Sequence, residues 1–172
     1  MSMNVEIKAV ARDFEGQQAL AAQLTNDGPR LIRQRDTFFH APRGRLKLRQ
    51  FAEGDGELIQ YERADERDAK TSNYTVVKTD HPDKLRCALG DALGIRGEVV
   101  KRRWLYLVGP TRIHFDQVET LGQFIELEVV MDEGQNVKEG EQAAARLMDT
   151  LGIQQSDLID CAYIDLIERG AK

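Results

Sequence analysis

The chain is dominated by segments in which apolar and charged residues alternate at every second position. The pattern is clearest at residues 5–8, 46–49 and 125–129, which read Val-Glu-Ile-Lys, Leu-Lys-Leu-Arg and Ile-Glu-Leu-Glu-Val. Successive side chains of a β-strand point to opposite faces, so each segment would present one apolar and one charged face. Cations dominate on some segments and carboxylates on others. That combination favours a fold that holds a polyanion together with a divalent metal ion.

The alternation predicts eight strands, and the helical spacing of other apolar residues predicts four helices. The strands are predicted at residues 4–12, 30–40, 44–52, 57–64, 73–79, 97–108, 111–118 and 123–131, and the helices at residues 15–26, 82–93, 138–151 and 155–168. Turns that contain Gly or Pro separate several of these elements. Residues 65–72 carry alternating charges and no apolar anchor, which predicts a mobile loop.

Eight antiparallel strands with mostly short connections predict an α+β fold built on a closed β-barrel, because closure removes exposed sheet edges. The charged faces could point outward as ordinary solvated surface, or inward to line a lumen. We favour the inward arrangement because helices need an apolar surface on which to dock, and the apolar strand faces provide it. The charged faces also contain many Arg residues and few Ser, Thr or Asn. The expected fold is therefore an eight-stranded antiparallel closed barrel with a charged lumen and helices packed outside.

Length and charge narrow the class of protein. The 172 residues predict a single domain over residues 1–172, and the net charge of −5 gives no overall basic field that would attract nucleic acid. No stretch approaches the ~20 apolar residues that a membrane span needs, and no apolar signal region precedes the first strand. We therefore expect a cytoplasmic protein, monomeric or homodimeric, with neither a nucleic-acid nor a membrane partner. Cys87 and Cys161 are predicted to be buried free thiols.

Cations are concentrated on one face of two predicted strands. Arg45, Lys47 and Arg49 alternate along the third strand, where adjacent cations repel one another unless an anion lies over them. Lys101 and Arg103 repeat the arrangement on the sixth strand. Arg supplies fork-shaped donors that suit phosphate, and Lys supplies a compact charge. Both strands are therefore candidates for binding a phosphate chain.

Carboxylates are concentrated on the last predicted strand. Glu126 and Glu128 share one face about 7 Å apart, a spacing at which two carboxylates can share one or two metal ions. On the first strand Asn4, Glu6 and Lys8 share a face. A carboxylate that can bind a divalent cation therefore lies beside a Lys that can reach a phosphate oxygen.

Three further positions have both a structural and a functional interpretation. His114 lies between Arg112 and Asp116 on one face, where it could shuttle protons, although a structural histidine is the favoured interpretation. Trp104 and Tyr106 fall on the face opposite the cations of their strand. That placement predicts packing beneath a helix rather than base stacking.

Six segments carry a family resemblance over nearly the whole chain. They are residues 4–9, 35–39, 44–49, 101–103, 112–116 and 124–128, which read NVEIKA, RDTFF, GRLKLR, KRR, RIHFD and FIELE. In these segments and their order, the chain resembles the CYTH family, also called the triphosphate tunnel metalloenzymes. It is most similar to the branch of class IV adenylyl cyclases. The resemblance implies a β-tunnel with a charged lumen, a small-molecule triphosphate as substrate, and Mg²⁺ or Mn²⁺ as cofactor.

The resemblance also implies roles for individual residues. Four carboxylates match or adjoin the family's metal ligands, namely Glu6, Asp116, Glu126 and Glu128. Six cations match its triphosphate-binding residues, namely Lys8, Lys47, Arg49, Lys101, Arg103 and Arg112, and the more loosely aligned segments add Arg63 and Lys78. Lys8 is also the candidate catalytic residue, because its charge could lower the pKa of the attacking group.

One departure from the family pattern lies on the first strand. The family's motif there is Glu-x-Glu-x-Lys, whereas this chain has Asn4 in place of the first Glu. Asn can bind a metal through its carbonyl oxygen but brings no charge. Three functions therefore stay open. They are an adenylyl cyclase that converts ATP to cyclic AMP and pyrophosphate, a hydrolase of tripolyphosphate, thiamine triphosphate or a nucleotide, and a non-catalytic binder of polyphosphate or phosphorylated ligands. The branch resemblance favours the cyclase.

Overall fold

Eight strands and four α-helices make up the described part of the computed structural model. It describes residues 2–63, 70–132, 134 and 136–170, with the backbone alone at residues 2, 3, 63 and 70–73. The strands are β1 (Ser2–Val10), β2 (Arg30–Phe39), β3 (Arg45–Phe51), β4 (Gly56–Arg63), β5 (Lys70–Thr79), β6 (Ile95–Val108), β7 (Thr111–Val118) and β8 (Gly122–Met131). Each predicted strand is present, and β5 begins earlier than its alternation indicated.

The helices are α1 (Phe14–Gln23), α2 (Pro82–Leu93), α3 (Val137–Leu151) and α4 (Tyr163–Gly170). Asp13 and Asn136 cap α1 and α3, because their side chains accept hydrogen bonds from the backbone N–H groups of Gly16 and Lys138. Gly152 ends α3 at a φ of 67°, in the left-handed region that favours glycine. The first three helices therefore start and stop close to where the sequence indicates.

The prediction of one helix over residues 155–168 is wrong. The first part of this segment forms a short 3-10 turn, Gln155–Asp157, in which the Asp157 carboxylate accepts a hydrogen bond from the Gln154 N–H at 2.9 Å. A second side chain, that of Asp165, accepts a hydrogen bond from the Ala162 N–H at 3.0 Å, at the start of α4. These local side-chain-to-backbone hydrogen bonds divide the segment into two separate elements.

Antiparallel pairing arranges the strands in one strongly curled sheet. Their hydrogen-bonded order is β1-β5-β4-β3-β2-β6-β7-β8. β1 lies between β5 and β8, because it pairs with β5 over residues 2–6 and with β8 over residues 3–10. The curl surrounds a central cavity lined by the charged strand faces. The protein therefore has an α+β fold, and the prediction that the charged faces point inward is confirmed.

The apolar strand faces point outward and pack against helices. The ring of Phe14, at the start of α1, contacts Trp104 and Phe115 edge to face, with centroid separations of 5.7 and 5.6 Å. Tyr106 is buried in the same cluster. The predicted packing of Trp104 and Tyr106 beneath a helix is therefore confirmed.

Helix α3 approaches β1 and β8 closely because it carries a glycine at the contact. A Cβ at Gly140 would lie 2.6 Å from Met131 Sδ and 2.9 Å from Val5 Cγ2. The close approach of α3 to the sheet accounts for a Gly at a position where Ala would favour the helix by about 1 kcal/mol.

The structure also bears on the cysteines, on the predicted loop at residues 65–72 and on membrane-spanning helices. Both cysteines are free, but Cys87 is exposed and only Cys161 is buried. The prediction for Cys87 is wrong because Pro82, Leu85 and Leu89 occupy the less exposed side of α2. The loop predicted at residues 65–72 lies mostly outside the described residues, and its last part belongs to β5. Within the described residues, no helix is both long and apolar enough to cross a membrane.

Replacing Phe14 with alanine should destabilise the fold strongly. The substitution removes a nearly buried ring that touches two aromatic neighbours, and Phe→Ala changes in protein cores cost roughly 3–5 kcal/mol. Leu20→Ala in the same helix is the matched control, because Leu20 is 40% exposed. The control should cost less than about 1 kcal/mol. Urea unfolding measures both variants, and equal losses would contradict the packing of α1 on the sheet.

Candidate functional site

A cavity of about 600 Å³ occupies the centre of the curled sheet. Side chains from all eight strands line it, together with Ala162 and Tyr163 at the start of α4. Nine residues that the sequence nominates line this cavity, namely Glu6, Lys8, Lys47, Arg49, Lys101, Arg103, Arg112, Glu126 and Glu128. The sheet therefore brings together in one place charged groups from both ends of the chain.

The other three residues that the sequence nominates are Asp116, Lys78 and Arg63. Asp116 is fully buried behind the cavity wall, where it binds Arg103. Lys78 is exposed on β5 and does not line the cavity. The side chain of Arg63 lies outside the described residues. The roles of Asp116, Lys78 and Arg63 stay predictions.

One buried carboxylate, Asp36 on β2, organises the cations of β3. It accepts two hydrogen bonds from Arg49, at 2.9 and 3.0 Å, and one from Lys47 at 3.2 Å. Gln34 donates a further hydrogen bond to Asp36 at 3.2 Å. Burial alone would raise the pKa of Asp36, but Arg49 and Lys47 outweigh burial and hold that pKa well below its usual value. Asp36 is therefore ionised and positions two cations at the cavity wall.

A second buried carboxylate, Asp116 on β7, organises the cations of β6. Arg103 donates two hydrogen bonds of 2.6 Å to it, and Lys101 Nζ lies 3.5 Å from Asp116 Oδ2. The two-point contact is the strong geometry for an Arg–carboxylate pair. Burial, reinforced by Arg103, lowers the pKa of Lys101 to about 7 despite the neighbouring carboxylate. Lys101 can therefore change its charge near neutral pH.

Tyr163 joins helix α4 to this second group. Its hydroxyl donates a hydrogen bond to Asp116 at 2.9 Å, and its ring lies 4.3 Å from Lys8 Nζ and 5.0 Å from Lys101 Nζ. These distances allow cation–π attraction between the ammonium groups and the ring. Burial and the Asp116 carboxylate raise the pKa of Tyr163 well above its ordinary value, so the phenol stays neutral.

Arg45 links α4 to the sheet through an ion pair. Although it shares a strand face with Lys47 and Arg49, its Nη1 lies 2.9 Å from Asp165 Oδ2 on α4. Arg96 binds the same carboxylate at 2.7 Å. The first of the three predicted cations on β3 therefore holds the helix that carries Tyr163, and it does not line the cavity.

The carboxylates are concentrated where β1 pairs with β8. Glu6 lies directly opposite Glu128, and Lys8 directly opposite Glu126. Lys8 Nζ lies 3.3 Å from Glu126 and 3.7 Å from Glu6, and Arg103 lies 3.5 Å from Glu126. Burial would raise the pKa of Glu126, but Lys8 and Arg103 outweigh burial and hold that pKa well below its usual value. Glu126 is therefore ionised.

Asn4 points into this carboxylate group. Its amide donates a hydrogen bond to Glu128 Oε1, while Glu128 Oε2 lies 3.4 Å from Arg112. The carbonyl oxygen Asn4 Oδ1 is buried and has no hydrogen-bond partner among the residues that the structure describes. A buried polar atom without a partner is costly, so this oxygen is suited to receive a donor or a cation. The expectation that Asn4 shares the inward face with Glu6 and Lys8 is confirmed.

The donor chemistry of this group suits a hard divalent cation. Glu6 and Glu128 are like charges directly opposite each other, and Asn4 Oδ1 adds a neutral oxygen beside them. Over the described residues, no group of three or more His, Cys, Asp or Glu side chains is already arranged to hold a metal ion. Lys8 neutralises Glu6 and Glu126 instead, so a metal ion and Lys8 would compete for these carboxylates.

His114 lines the cavity beside Glu126. Its Nδ1 lies 3.6 Å from Glu126 Oε1, which is beyond hydrogen-bond distance. Burial lowers the pKa of His114, so the imidazole is neutral at neutral pH. The neutral ring can therefore accept a proton or a hydrogen bond from a bound group at neutral pH.

One sector of the cavity wall carries little charge. β4 and β5 contribute Ile59, Tyr61, Tyr74 and Val76, and the one charged lining residue of this sector is Glu57, as far as the structure describes these strands. The cavity therefore combines walls of cations and carboxylates with a wall that can receive an uncharged ring.

Sequence reasoning missed two residues of the site, Asp36 and Tyr163. Asp36 offered a signal, because it is a lone carboxylate on the inward face of β2 and falls within the 35–39 segment of the family resemblance. Tyr163 offered none, because it stood in the middle of a helix predicted over residues 155–168. Its position at the cavity depends on where α4 begins, which short-range spacing did not reveal.

The CYTH domain model matches residues 2–163. The chain therefore belongs to the CYTH family, as the sequence resemblance indicated. No curated protein sequence matches the chain.

Several solved structures share its fold. The PH1012 protein from Pyrococcus horikoshii OT3 has a TM-score of 0.82 at 24% identity, over 96% of this chain and 99% of that one. A candidate adenylate cyclase from Vibrio parahaemolyticus has a TM-score of 0.81 at 16% identity, over 96% and 98%. The candidate adenylyl cyclase HpAC1 from Hippeastrum, described as having a dominant triphosphatase activity, has a TM-score of 0.69 at 13% identity, over 99% and 96%. At these identities the similarity shows the fold alone.

Binding of a polyanion in the cavity should take up protons at pH 8. The pKa of Lys101 is about 7, so its amine is mostly neutral at this pH, and a bound anion would raise that pKa and protonate it. Affinity for tripolyphosphate without metal should therefore fall as pH rises through 7. Calorimetry in buffers of different ionisation enthalpy measures the proton uptake on binding. It should decrease in Lys101→Met and persist in Lys84→Met, whose side chain is exposed on α2; equal uptake in both variants would contradict the role of Lys101.

Proposed function

We propose that this protein is a divalent-metal-dependent enzyme that processes a small-molecule triphosphate inside the cavity. The observation that carries the proposal is the pair of anchored cation groups, Lys47 with Arg49 and Lys101 with Arg103. In each group one buried carboxylate serves two basic side chains, so an excess of positive charge faces the cavity when both are protonated. Lys101, whose pKa is about 7, would become protonated as an anion binds. A chain of phosphates is the ligand that would neutralise both groups at once.

We further propose that the single domain closes as a tunnel. The pairing of β1 with both β5 and β8 supports closure, since it leaves no unpaired edge between these three strands. A closed wall would hold the two cation groups and the carboxylates of β8 at constant separation. It would also exclude much of the water that weakens electrostatic contacts with a substrate.

Glu6, Glu126 and Glu128 would hold Mg²⁺ or Mn²⁺, with Asn4 Oδ1 as a neutral donor. When bound, the ion would polarise the transferring phosphoryl group and neutralise charge on its leaving oxygens. The family resemblance implies Asp116 as a further ligand. Its hydrogen bonds with Arg103 and Tyr163 support instead a role in positioning the cations.

Lys8 is the proposed catalytic residue. It lies at the boundary between the carboxylates and the cations, within 3.7 Å of Glu6 and 4.3 Å of the ring centre of Tyr163. If a metal ion takes over Glu6 and Glu126, the Lys8 ammonium becomes available to a phosphate oxygen or to the attacking hydroxyl. Its positive charge would lower the pKa of that hydroxyl.

The reaction we favour is that of a class IV adenylyl cyclase. The 3′-hydroxyl of ATP would attack the α-phosphorus and release pyrophosphate, giving cyclic AMP. The uncharged wall formed by Ile59, Tyr61 and Tyr74 supports an organic triphosphate, because inorganic tripolyphosphate has no group to place there. Cyclisation needs the nucleoside held against the phosphate chain.

Triphosphate hydrolysis is the second candidate, since it needs the same cation groups with water placed in line instead of the ribose. The dominant triphosphatase activity described for the Hippeastrum relative supports this candidate. A non-catalytic binder is the third candidate, supported by the uncharged Asn4 at the carboxylate group.

Incubation with Mn²⁺ or Mg²⁺ and ATP, tripolyphosphate or thiamine triphosphate distinguishes the three candidates by their products. Cyclic AMP supports the cyclase, orthophosphate the hydrolase, and binding without turnover the binder.

Substitutions on the two sides of the cavity should produce different kinetic defects. Glu128→Gln should lose activity mainly through weaker metal binding, and part of the loss should return at high Mn²⁺. Arg49→Ala should instead raise KM for the triphosphate, because it removes a phosphate contact and leaves the carboxylates of β1 and β8 intact. Steady-state kinetics across a metal titration, on variants verified as folded, measures both. Indistinguishable profiles would contradict this division of roles.

Replacing Asn4 with glutamate should tighten binding of the metal ion. The new carboxylate would lie beside Glu128 and Glu6, where added negative charge attracts a divalent cation and destabilises the metal-free protein. We expect a lower Mn²⁺ dissociation constant by calorimetry and a larger Mn²⁺-induced rise in Tm than in wild type. Asn4→Gln keeps the amide and is the control. Unchanged metal binding in Asn4→Glu would show that Asn4 is not part of the metal site.

A further inference from the structure

A second cavity, of about 660 Å³, lies where β2, β3, β6 and β7 and the turn into β8 meet. It shares Gln34, Phe51 and Lys101 with the lining of the central cavity, and its other lining residues are its own. Three arginines contribute to it, Arg33 and Arg35 from β2 and Arg102 from β6. All three are exposed and belong to the outward strand faces, since they alternate with Gln34, Lys101 and other residues that line the central cavity.

The arginines are close to one another by register. Arg33 lies directly opposite Arg102 in the pairing of β2 with β6, and Arg35 follows two residues along the same face. Directly opposed like charges on a sheet face are destabilising. Residues two apart on a strand are about 7 Å apart, so the three guanidinium groups can converge on one anion.

Within the part of the chain that the structure describes, neither Arg33 nor Arg102 has a carboxylate within ion-pair distance. Arg35 interacts with Glu98, whose carboxylate already binds Arg86 at 2.6 Å. Glu119 is the one carboxylate that lines the cavity among the described residues, and it offsets at most one of the three cations. An excess of positive charge is therefore built into a concave surface on an otherwise acidic protein.

We propose that Arg33, Arg35 and Arg102 form a second anion site, on the outer face of the sheet, that binds a short phosphate chain. Arg binds phosphate oxygens through paired hydrogen bonds, and the amides of Gln50 and Gln117 in the same lining can donate further ones. A short chain suits a pocket of this size. The net charge of −5 opposes the long-range attraction that a nucleic acid would need.

This site is electrostatically coupled to the central cavity. Arg102 lies between Lys101 and Arg103, which point to the opposite face and line that cavity. Two anions bound on opposite sides of β6 would therefore be separated by one sheet thickness. Like charges at that separation repel, so occupancy of one site should weaken the other, and the coupling is reciprocal.

Calorimetric titration with tripolyphosphate, without metal and at low salt, tests the outer site. The wild-type protein should bind two equivalents, and Arg33→Gln combined with Arg102→Gln should lower the affinity of one of them at least about tenfold, as expected for lost charge-assisted hydrogen bonds. Arg43→Gln combined with Arg146→Gln removes two exposed cations elsewhere and is the matched control. The same titration with pyrophosphate distinguishes two natural sources of the ligand. Tighter binding of pyrophosphate would indicate a reaction product, and tighter binding of tripolyphosphate would indicate a free phosphate chain.

The outcomes for the two sites are distinguishable. If the double variant at Arg33 and Arg102 binds tripolyphosphate as wild type does, or if the control pair loses as much affinity, the outer site is refuted. Equally tight binding of an oligo-glutamate peptide would overturn its assignment to phosphate. If Arg49→Ala leaves both equivalents unchanged while the double variant loses one, the outer site stands and the proposal for the central cavity fails.

Discussion

Two buried carboxylates, Asp36 and Asp116, make a charged interior possible in this protein. Removing a cation from water costs several kcal/mol unless a well-placed counter-ion and hydrogen bonds compensate for the loss. Each of these carboxylates lies behind the cavity wall or within it and binds two cations of neighbouring strands. Because one carboxylate serves two basic side chains, these side chains stay in place and present an excess of positive charge to the cavity when both are protonated.

The rest of the fold follows from this inward placement of charge. With the polar side chains directed to the cavity, the apolar faces of the strands must be covered from outside, and α1 and α3 pack there. Helix α4 combines both kinds of contact, because Ile164 is buried in an apolar cluster while Asp165 forms ion pairs with Arg45 and Arg96. Apolar packing and polar contacts together therefore set the position of Tyr163, the residue that links Lys8, Lys101 and Asp116.

Much of the fold could be predicted from the sequence because a strand's period of two is a strong local signal. The alternation at residues 5–8 and 46–49 located two strands and identified Lys8, Lys47 and Arg49 as one class of inward residue. What the sequence could not supply was the partner of each charge. Asp36 meets Arg49 only through the register of β2 with β3, and the register depends on the whole sheet. The start of α4 was mispredicted because competing hydrogen bonds of Asp157 and Asp165 divide a segment with continuous apolar spacing.

The most direct test of this account is a crystal structure of the protein with a non-hydrolysable ATP analogue and Mn²⁺. The account predicts a phosphate chain inside the central cavity, in contact with Arg49 on one side and Arg103 on the other, with the metal ion bound by Glu126 and Glu128. It also predicts that Lys8 releases Glu6 and Glu126 and approaches the phosphates. Phosphates bound only outside the cavity, with the contacts of Lys8 unchanged, would contradict the claim that the charged interior exists to hold a triphosphate.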